Sequence, residues 1–204
     1  MFVKYKSNVQ LNKKFTEIID EPEVILVNEF TEKSAKEFRE GMKKAHNTGQ
    51  DIIPVVIDSY GGYVHSLISM IDTIEESSLP VATIAIGKAM SCGAMLLGHG
   101  TQGYRFSSPN ARIMIHDVSA MSIGKVAELK SSTKESEFLH NYIFESLAKH
   151  IGKKDKNFFE KELDKRKHAE WYLGAQEAKD LNLVNEIKIP NFEVNINVKY
   201  NFNI

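Results

Sequence analysis

Residues 81–98 read VATIAIGKAMSCGAMLLG. The apolar run 81–86 predicts a buried β-strand, and residues 90–97 predict a helix that ends at Gly98. Ser91 therefore lies where a strand gives way to a helix. Ligands and reactive groups of α/β sheets gather at the carboxyl ends of strands, which makes Ser91 a first candidate functional residue.

Two similar units precede this stretch. Apolar runs at 24–27 and 52–58 predict strands, and each is followed by an amphipathic helix, the first with Thr31 as a plausible N-cap. Pro54 cannot donate to a strand ladder, so pairing is expected to be limited there or to begin after it.

Short strands are predicted downstream at 104–106 and 111–115. The alternation of strand and helix through residue 115 predicts an α/β fold with both faces of the sheet covered. One long helical stretch, rich in Lys, Glu and Ser, then runs from residue 125 to about 150, and a short helix is predicted at 177–181.

The tail, residues 192–204, alternates apolar and polar side chains without a break, which predicts a half-buried strand. An uncovered strand edge is open to further pairing. We expect this strand to pair with its own sheet or with a neighbouring subunit.

The amino-acid composition excludes several classes of function. The chain of 204 residues carries 26 basic and 27 acidic residues, a net charge of −1, which argues against nucleic-acid binding by phosphate neutralisation and against a polybasic membrane surface. One cysteine excludes an intramolecular disulfide and a multi-cysteine zinc site. The sequence shows no secretory signal and no bilayer-spanning run, so a cytoplasmic protein of one domain is expected.

Three local signals could carry chemistry: Gly61-Gly62, Ser91 and His116, each at a predicted strand end. A serine hydroxyl needs an adjacent base, usually His oriented by a carboxylate, and an acyl-transfer oxyanion needs backbone N–H donors. A Gly-Gly turn lets the backbone approach a ligand closely. Spacing alone does not distinguish these roles from ordinary structural ones. Gly61-Gly62 could form a simple turn, Ser91 could cap a helix, and His116 could make a structural contact.

Longer segments resemble the proteolytic subunit of the Clp protease, the ClpP family. The likeness runs from roughly residue 24 to 189, and the separations between Gly62, Ser91 and His116 look like the family's own without a gap. It rests on SYGG at 59–62, GKAMSCGAMLL at 87–97, RFSSPNARIMIH at 105–116, WYLGAQEA at 171–178, and Leu183-Val184.

The resemblance implies that Ser91 is the nucleophile of a serine endopeptidase and His116 its general base. The backbone N–H groups of Gly62 and Cys92 would form the oxyanion hole. It implies the ClpP/crotonase-type fold, a repeated ββα superhelix with a protruding handle helix at about 117–152. No cofactor and no metal are implied, since ATP is used only by a partner.

It also implies an assembly. Family members form two stacked heptameric rings, a homo-oligomeric tetradecamer, and take unfolded proteins or peptides from a Clp-type AAA+ unfoldase. Residues 1–23 would be the N-terminal segment with its axial loop, 24–190 the protease domain and 191–204 a C-terminal extension. The N-terminal segment does not closely match the usual pore-loop region, so a self-contained peptidase remains an alternative.

The third triad position departs from the family pattern. Where the family usually has Asp, this sequence has Glu170, and Glu can orient an imidazole as Asp does. We expect Glu170 to be the third member, with Asp164 and Asp117 as rivals.

Other readings of nearby residues remain open. Cys92 could itself be a nucleophile, although a small buried residue is the preferred interpretation, and Lys88 could suggest a Ser–Lys dyad. GHGTQG at 98–103 matches a dinucleotide fingerprint but follows a helix and precedes a strand, the wrong order. No metal site is expected, because the histidines lack i, i+4 pairing with acidic partners: His65, His99, His140, His150 and His168.

Three functions are therefore compared. The first is a serine endopeptidase subunit. The second is a catalytically silent ring subunit, motivated by the altered third position. The third is a crotonase-type acyl-CoA enzyme, in which two backbone N–H groups stabilise an enolate and no Ser–His pair is needed.

Overall fold

The computed structural model describes residues 5–7 and 22–194. The strands are β1 (Tyr5–Ser7), β2 (Ile25–Val27), β3 (Ile53–Ser59), β4 (Val81–Met90), β5 (Arg105–Ser107), β6 (Arg112–Ile115), β7 (Trp171–Leu173), β8 (Glu186–Ile187) and β9 (Phe192–Val194). The helices are α1 (Glu32–Asn47), α2 (Val64–Glu75), α3 (Cys92–Gly98), α4 (Val126–His150), α5 (Phe158–Lys165) and α6 (Ala175–Asp180).

Within these residues, seven strands form one sheet with the order β2-β3-β4-β5-β8, and β6 pairs with both β4 and β7. Every pairing is parallel except β6 with β7, which is antiparallel. The predicted α/β class is confirmed by this mostly parallel sheet. No helix in the described part of the chain is long and apolar enough to cross a membrane.

The long strand β4 carries two neighbours along one edge. Its first half pairs with β5 through Thr83–Ala85, and its last residues, Lys88–Met90, pair with β6. Gly87 lies between the two halves with a φ of 72°, a conformation that glycine adopts without a Cβ penalty. The strand therefore continues past Ile86, and the helix begins at Cys92 rather than at Met90 as predicted.

Pro54 is accommodated inside β3. It pairs with Ala82 on one side, while the pairing with β2 on the other side begins one residue later, at Val55. The missing N–H of proline is therefore tolerated within a paired strand.

Both faces of the sheet were predicted to be covered, and the structure covers them unequally. The main core takes residues from all six helices named above, together with Val55 and Ile57 of β3. The opposite face holds a smaller cluster of Ala82, Ile84 and Phe106, against which Phe192 packs. Both faces are apolar, as the strand pattern indicated, but the helices lie on one side.

The predicted helix 125–150 is confirmed as α4, and its burial is uneven. The buried side chains lie in its C-terminal half: Leu139, Ile143, Phe144, Leu147 and Ala148. The first half is almost entirely exposed. Helix α5 was not predicted, because its buried Phe159 and Leu163 lie within a strongly charged stretch.

The described ends of the chain pair with each other. Residues 192–194 form a parallel two-stranded ladder with residues 5–7, in which Phe192 pairs with Tyr5. The beginning of the predicted tail strand thus pairs within its own chain, but outside the main sheet. Most of the predicted N-terminal segment, and residues 195–204 of the tail, lie outside the described residues.

Candidate active site

Ser91 occupies the junction between β4 and α3. Its φ is 54° and its ψ is −122°, a combination that costs a non-glycine residue about 1–3 kcal/mol and is typical of functional sites. Its N–H donates to Met114 O at 2.8 Å, and its carbonyl accepts from Ala94 N at 2.9 Å. The backbone on both sides of Ser91 is therefore fixed, which sets the direction of its hydroxyl.

Gly61 and Gly62 form the loop facing Ser91. A Cβ on Gly61 would lie 2.7 Å from Ser91 Cβ, and a Cβ on Gly62 would lie 2.5 Å from Phe30 O. Their φ angles are 111° and 152°. Only glycine fits at both positions, because any side chain would meet the serine or the neighbouring backbone.

The same loop is held from both ends. Ser59 Oγ accepts from Gly61 N at 3.0 Å, and Phe30 O accepts from Tyr63 N at 2.8 Å. The Tyr63 bond belongs to the bridge between Phe30 and Gly62, and it leaves the Gly62 N–H outside that bridge. The anchoring role of Ser59 was missed by the sequence analysis, because a buried serine at a strand end has no distinguishing pattern.

Cys92 is buried, with 3% of its surface exposed. Its thiol donates to Gly62 O at 3.3 Å. Burial raises the pKa of the Cys92 thiol, against hydrogen bonds with Gly62 and Ser91 that act in the opposite direction. The expectation of a small buried residue is confirmed, and its thiol joins the start of α3 to the glycine loop.

Iodoacetamide is expected to leave Cys92 unmodified in the folded protein at about pH 7 to 8. A raised pKa means that less thiolate is present at any given pH than in an ordinary cysteine, so reactivity grows only as the pH rises further. Intact-mass measurement checks this result, with the urea-unfolded protein as the fully alkylated control. Rapid alkylation of the folded protein in this pH range would contradict this expectation and would support Cys92 as the nucleophile.

His116 follows β6, which lies directly beside the end of β4. Its side chain lines a cavity of about 110 Å³ together with Gly62, Ser91 and Cys92. Within the described part of the chain, its imidazole forms no hydrogen bond with another side chain. The structure thus brings four of the five predicted site residues around one cavity.

Glu170, the fifth, does not line that cavity. In the antiparallel pair of β6 and β7, Ile115 lies opposite Trp171, so the same register places Glu170 opposite His116. Its carboxylate accepts a hydrogen bond from Tyr172 Oη at 2.7 Å. That bond raises the pKa of Tyr172. Glu170 is therefore beside His116 in register, but its oxygen is engaged by the tyrosine.

The rival carboxylates share a different histidine. Asp117 Oδ2 lies 2.8 Å from His168 Nδ1, and Asp164 Oδ1 lies 3.2 Å from His168 Nε2. Asp117 also lines the cavity, and its Oδ1 lies 4.0 Å from His140 Nδ1. The third member of the triad therefore stays a prediction.

The Lys88 ammonium group interacts with residues other than Ser91. Its Nζ lies 2.6 Å from Asp58 Oδ1 and 4.4 Å from the ring centroid of Tyr60. The hydrogen bond with Asp58 raises the pKa of Lys88, which favours the protonated form and disfavours a role as a base.

Gly98 and Gly100 lie where neighbouring side chains leave no room for a Cβ. A Cβ on Gly98 would clash with Leu147, and a Cβ on Gly100 would clash with Thr83. Between them, His99 caps the end of α3. The segment therefore joins a helix to a strand, which is the reverse of a dinucleotide-binding turn.

One group of residues was missed because its members are far apart in the sequence. Glu75, His99 and His150 place potential ligand atoms within 4.8 Å of one another. Their spacing in the chain carries no signal, and only the tertiary fold brings them together.

The fold and the site define a mixed α/β protein with a serine and a histidine at the carboxyl edge of its sheet. The sequence model of the Clp protease family matches residues 6–190. Over 135 residues the chain is 32% identical to the "ATP-dependent Clp protease proteolytic subunit 1" of Salinibacter ruber (strain DSM 13855 / M31). That match covers 66% of this chain and spans 56% of the relative's length. The chain belongs to the Clp protease family.

Proposed function

We propose that this chain is a serine endopeptidase subunit that hydrolyses peptide bonds of unfolded proteins in the cytoplasm. One observation carries the proposal. Ser91, on strained backbone, shares a cavity with His116 and with the peptide groups of Gly62 and Cys92. A nucleophile, a base and two N–H donors around one space are the parts that acyl transfer requires.

In this mechanism, Ser91 Oγ attacks the carbonyl carbon of the substrate peptide, and His116 takes the hydroxyl proton. The N–H groups of Gly62 and Cys92 bind the oxyanion, where one donor is worth about 10²–10³ in rate. When the C–N bond breaks, His116 gives its proton to the leaving amine. A water molecule then attacks the acyl-enzyme by the same route and releases Ser91.

A fluorophosphonate probe is expected to label the intact protein once per chain, at Ser91. The activated hydroxyl attacks the phosphorus and displaces fluoride, which the resting serine of an ordinary loop does not do. Peptide mapping by mass spectrometry locates the label, and Ser91→Ala is the control that should remain unlabelled. Absence of label at Ser91 in an assembled sample would overturn the proposed function.

A catalytically silent ring subunit is the second candidate, favoured by the hydrogen bond that holds Glu170 to Tyr172. If it were correct, the wild-type protein and Ser91→Ala would cleave a fluorogenic peptide at the same low rate. A clear difference between them would exclude it.

We further propose that the active unit is a homo-oligomer of two stacked heptameric rings. The exposed half of α4 supports this assembly. Val126 and Phe138 of this half are 69% and 61% exposed, and Ile123, in the segment just before α4, is 93% exposed. A helix half with hardly any buried side chain gains little stability from packing, and large apolar side chains left exposed along one helix are typical of an interface. A second copy of the chain supplies the covering surface.

Replacing Ile123 and Phe138 together by Ser is expected to convert the assembly to smaller species, because the double variant removes apolar area from the interface. Size-exclusion chromatography with light scattering measures the mass. Lys130→Ser, on the same exposed half of α4, is the matched control and should leave the mass unchanged. An unchanged mass for the double variant would show that this helix is not the interface.

A Clp-type AAA+ unfoldase would deliver substrates to the chamber. The unfoldase would bind and hydrolyse the ATP, so the chain described above needs no cofactor. The support is the family membership alone. Stimulation of the degradation of a folded substrate by added unfoldase and ATP tests this partner, and a self-contained peptidase would show no stimulation.

A further inference from the structure

We propose that Glu75, His99 and His150 form a binding site for a divalent transition-metal ion, best matched by Zn²⁺. We call these residues the helix-end cluster. The carboxylate and the two imidazoles offer ligand atoms that all lie within 4.8 Å of one another. Two histidines and one glutamate form a known zinc ligand set, which leaves a fourth position for water or an anion.

The two imidazoles are already in the correct tautomers. His99 Nδ1 lies 2.8 Å from Met95 O, and His150 Nε2 lies 3.1 Å from Gly100 O. A backbone carbonyl only accepts, so these nitrogens carry the protons, and His99 Nε2 and His150 Nδ1 keep their lone pairs. Metal-ligating histidines usually donate their other ring N–H in this way.

The ring orientations agree with this arrangement. The two imidazole centroids lie 5.0 Å apart, and Ser146 Oγ lies 2.9 Å from His99 Nε2. In the absence of metal, the serine hydroxyl donates to the nitrogen that would bind it. A small rotation of Ser146 therefore frees the ligand atom, and the hydroxyl then lies beside the bound ion.

The backbone around the helix-end cluster also favours a cation. Glu75 is the last residue of α2, His99 is the C-cap of α3, and His150 is the last residue of α4. Carboxyl ends of helices carry partial negative charge. The carboxyl ends of three helices meet at this point of the fold. A bound ion would also link the end of α4 to the ends of α2 and α3.

His99 is the most deeply buried member of the helix-end cluster. It is fully buried, and burial lowers the pKa of His99 to about 4, with His150 and Arg105 acting in the same direction. The neutral imidazole is the form that binds metal. The positive charge of Arg105 acts against a cation at this site.

A cavity of about 600 Å³ lies beside the helix-end cluster. Glu75, Ser146 and four lysines are among the residues that line it, whereas His99 and His150 do not. The lysines on its wall suit an anion at the fourth coordination position of the metal. The expectation of no metal site rested on the histidines lacking i, i+4 pairing with acidic partners. That premise was wrong for His168 and Asp164, and it does not bear on a site assembled from three helix ends.

The test uses the tag-free full-length protein, treated with EDTA and dialysed. Isothermal titration with Zn²⁺ is expected to give one ion per chain, and Co²⁺ should give the visible absorption spectrum of low-coordinate cobalt. Glu75→Gln and His150→Gln should each weaken binding by about tenfold or more, since each removes one ligand. Circular dichroism checks that both variants fold.

His65→Gln is the matched control, because His65 is exposed on α2 outside the cluster, and its binding should equal that of the wild type. The proposal is overturned if the wild type binds no Zn²⁺, or if Glu75→Gln and His150→Gln bind as the wild type does. It is also overturned if His168→Gln, next to Asp117, is the variant that abolishes binding. None of these outcomes depends on peptidase activity.

Discussion

Gly61→Ala is expected to reduce kcat/KM for a fluorogenic peptide by about 100-fold or more, because displacing a reacting group by about 1 Å has an effect of that size. The new Cβ would lie 2.7 Å from Ser91 Cβ and 3.2 Å from Ser91 Oγ. The serine must therefore shift away from its present position. At the positive φ of 111°, a side chain also strains the folded backbone, which lowers the free energy of unfolding by about 1–2 kcal/mol.

Gly49→Ala separates the two effects. Gly49 also has a positive φ, 75°, but a Cβ there would meet nothing within 4 Å. This variant should lose about 1–2 kcal/mol of stability and keep its kcat/KM. Urea unfolding and steady-state kinetics on both variants are the measurements. Equal activity in the two would show that the glycine loop does not set the position of Ser91.

Glu170→Gln is expected to lower kcat by about 10²–10⁴, with a smaller effect on KM, because loss of the orienting carboxylate leaves the imidazole in the wrong tautomer. The register of β6 and β7 puts Glu170 opposite His116. Asp117→Asn and Asp164→Asn should have much smaller effects, since both carboxylates contact His168.

Tyr172→Phe is the companion variant. It removes the hydroxyl that now holds Glu170 at 2.7 Å and should leave kcat unchanged or raise it, because the carboxylate is then free to meet His116. Full activity in Glu170→Gln together with loss of activity in Asp117→Asn would assign the role to Asp117 instead.

The local features of the fold were predictable because they depend on neighbours in the sequence. Thr31 caps α1 by accepting from Ser34 N, as its position before an amphipathic run indicated. Ser91, His116, Gly62 and Cys92 were predictable as a group because each lies at a strand end, and parallel strands bring those ends to one edge of the sheet.

The features that were not predicted depend on tertiary packing. Period alone does not say on which face of a sheet a helix lies, so the unequal covering of the two faces had no signal. The true start of α3 at Cys92 depends on β6 docking beside Lys88–Met90, which extends β4 past Gly87. The partners of Glu170, Asp117 and Asp164 are set by side-chain positions that spacing does not encode.

The division of β4 between β5 and β6 has a consequence for when the chain acquires its chemistry. The first half of β4 pairs with β3 and β5, whereas the second half pairs with β6 and, through Ala89 opposite Ser59, with the end of β3. Ser91 is held by Met114 O, which belongs to β6. On the proposed function, a newly made chain with its core formed but β6 undocked has neither an oriented nucleophile nor a nearby base. On that proposal, the site is complete only once β6 has docked beside the end of β4.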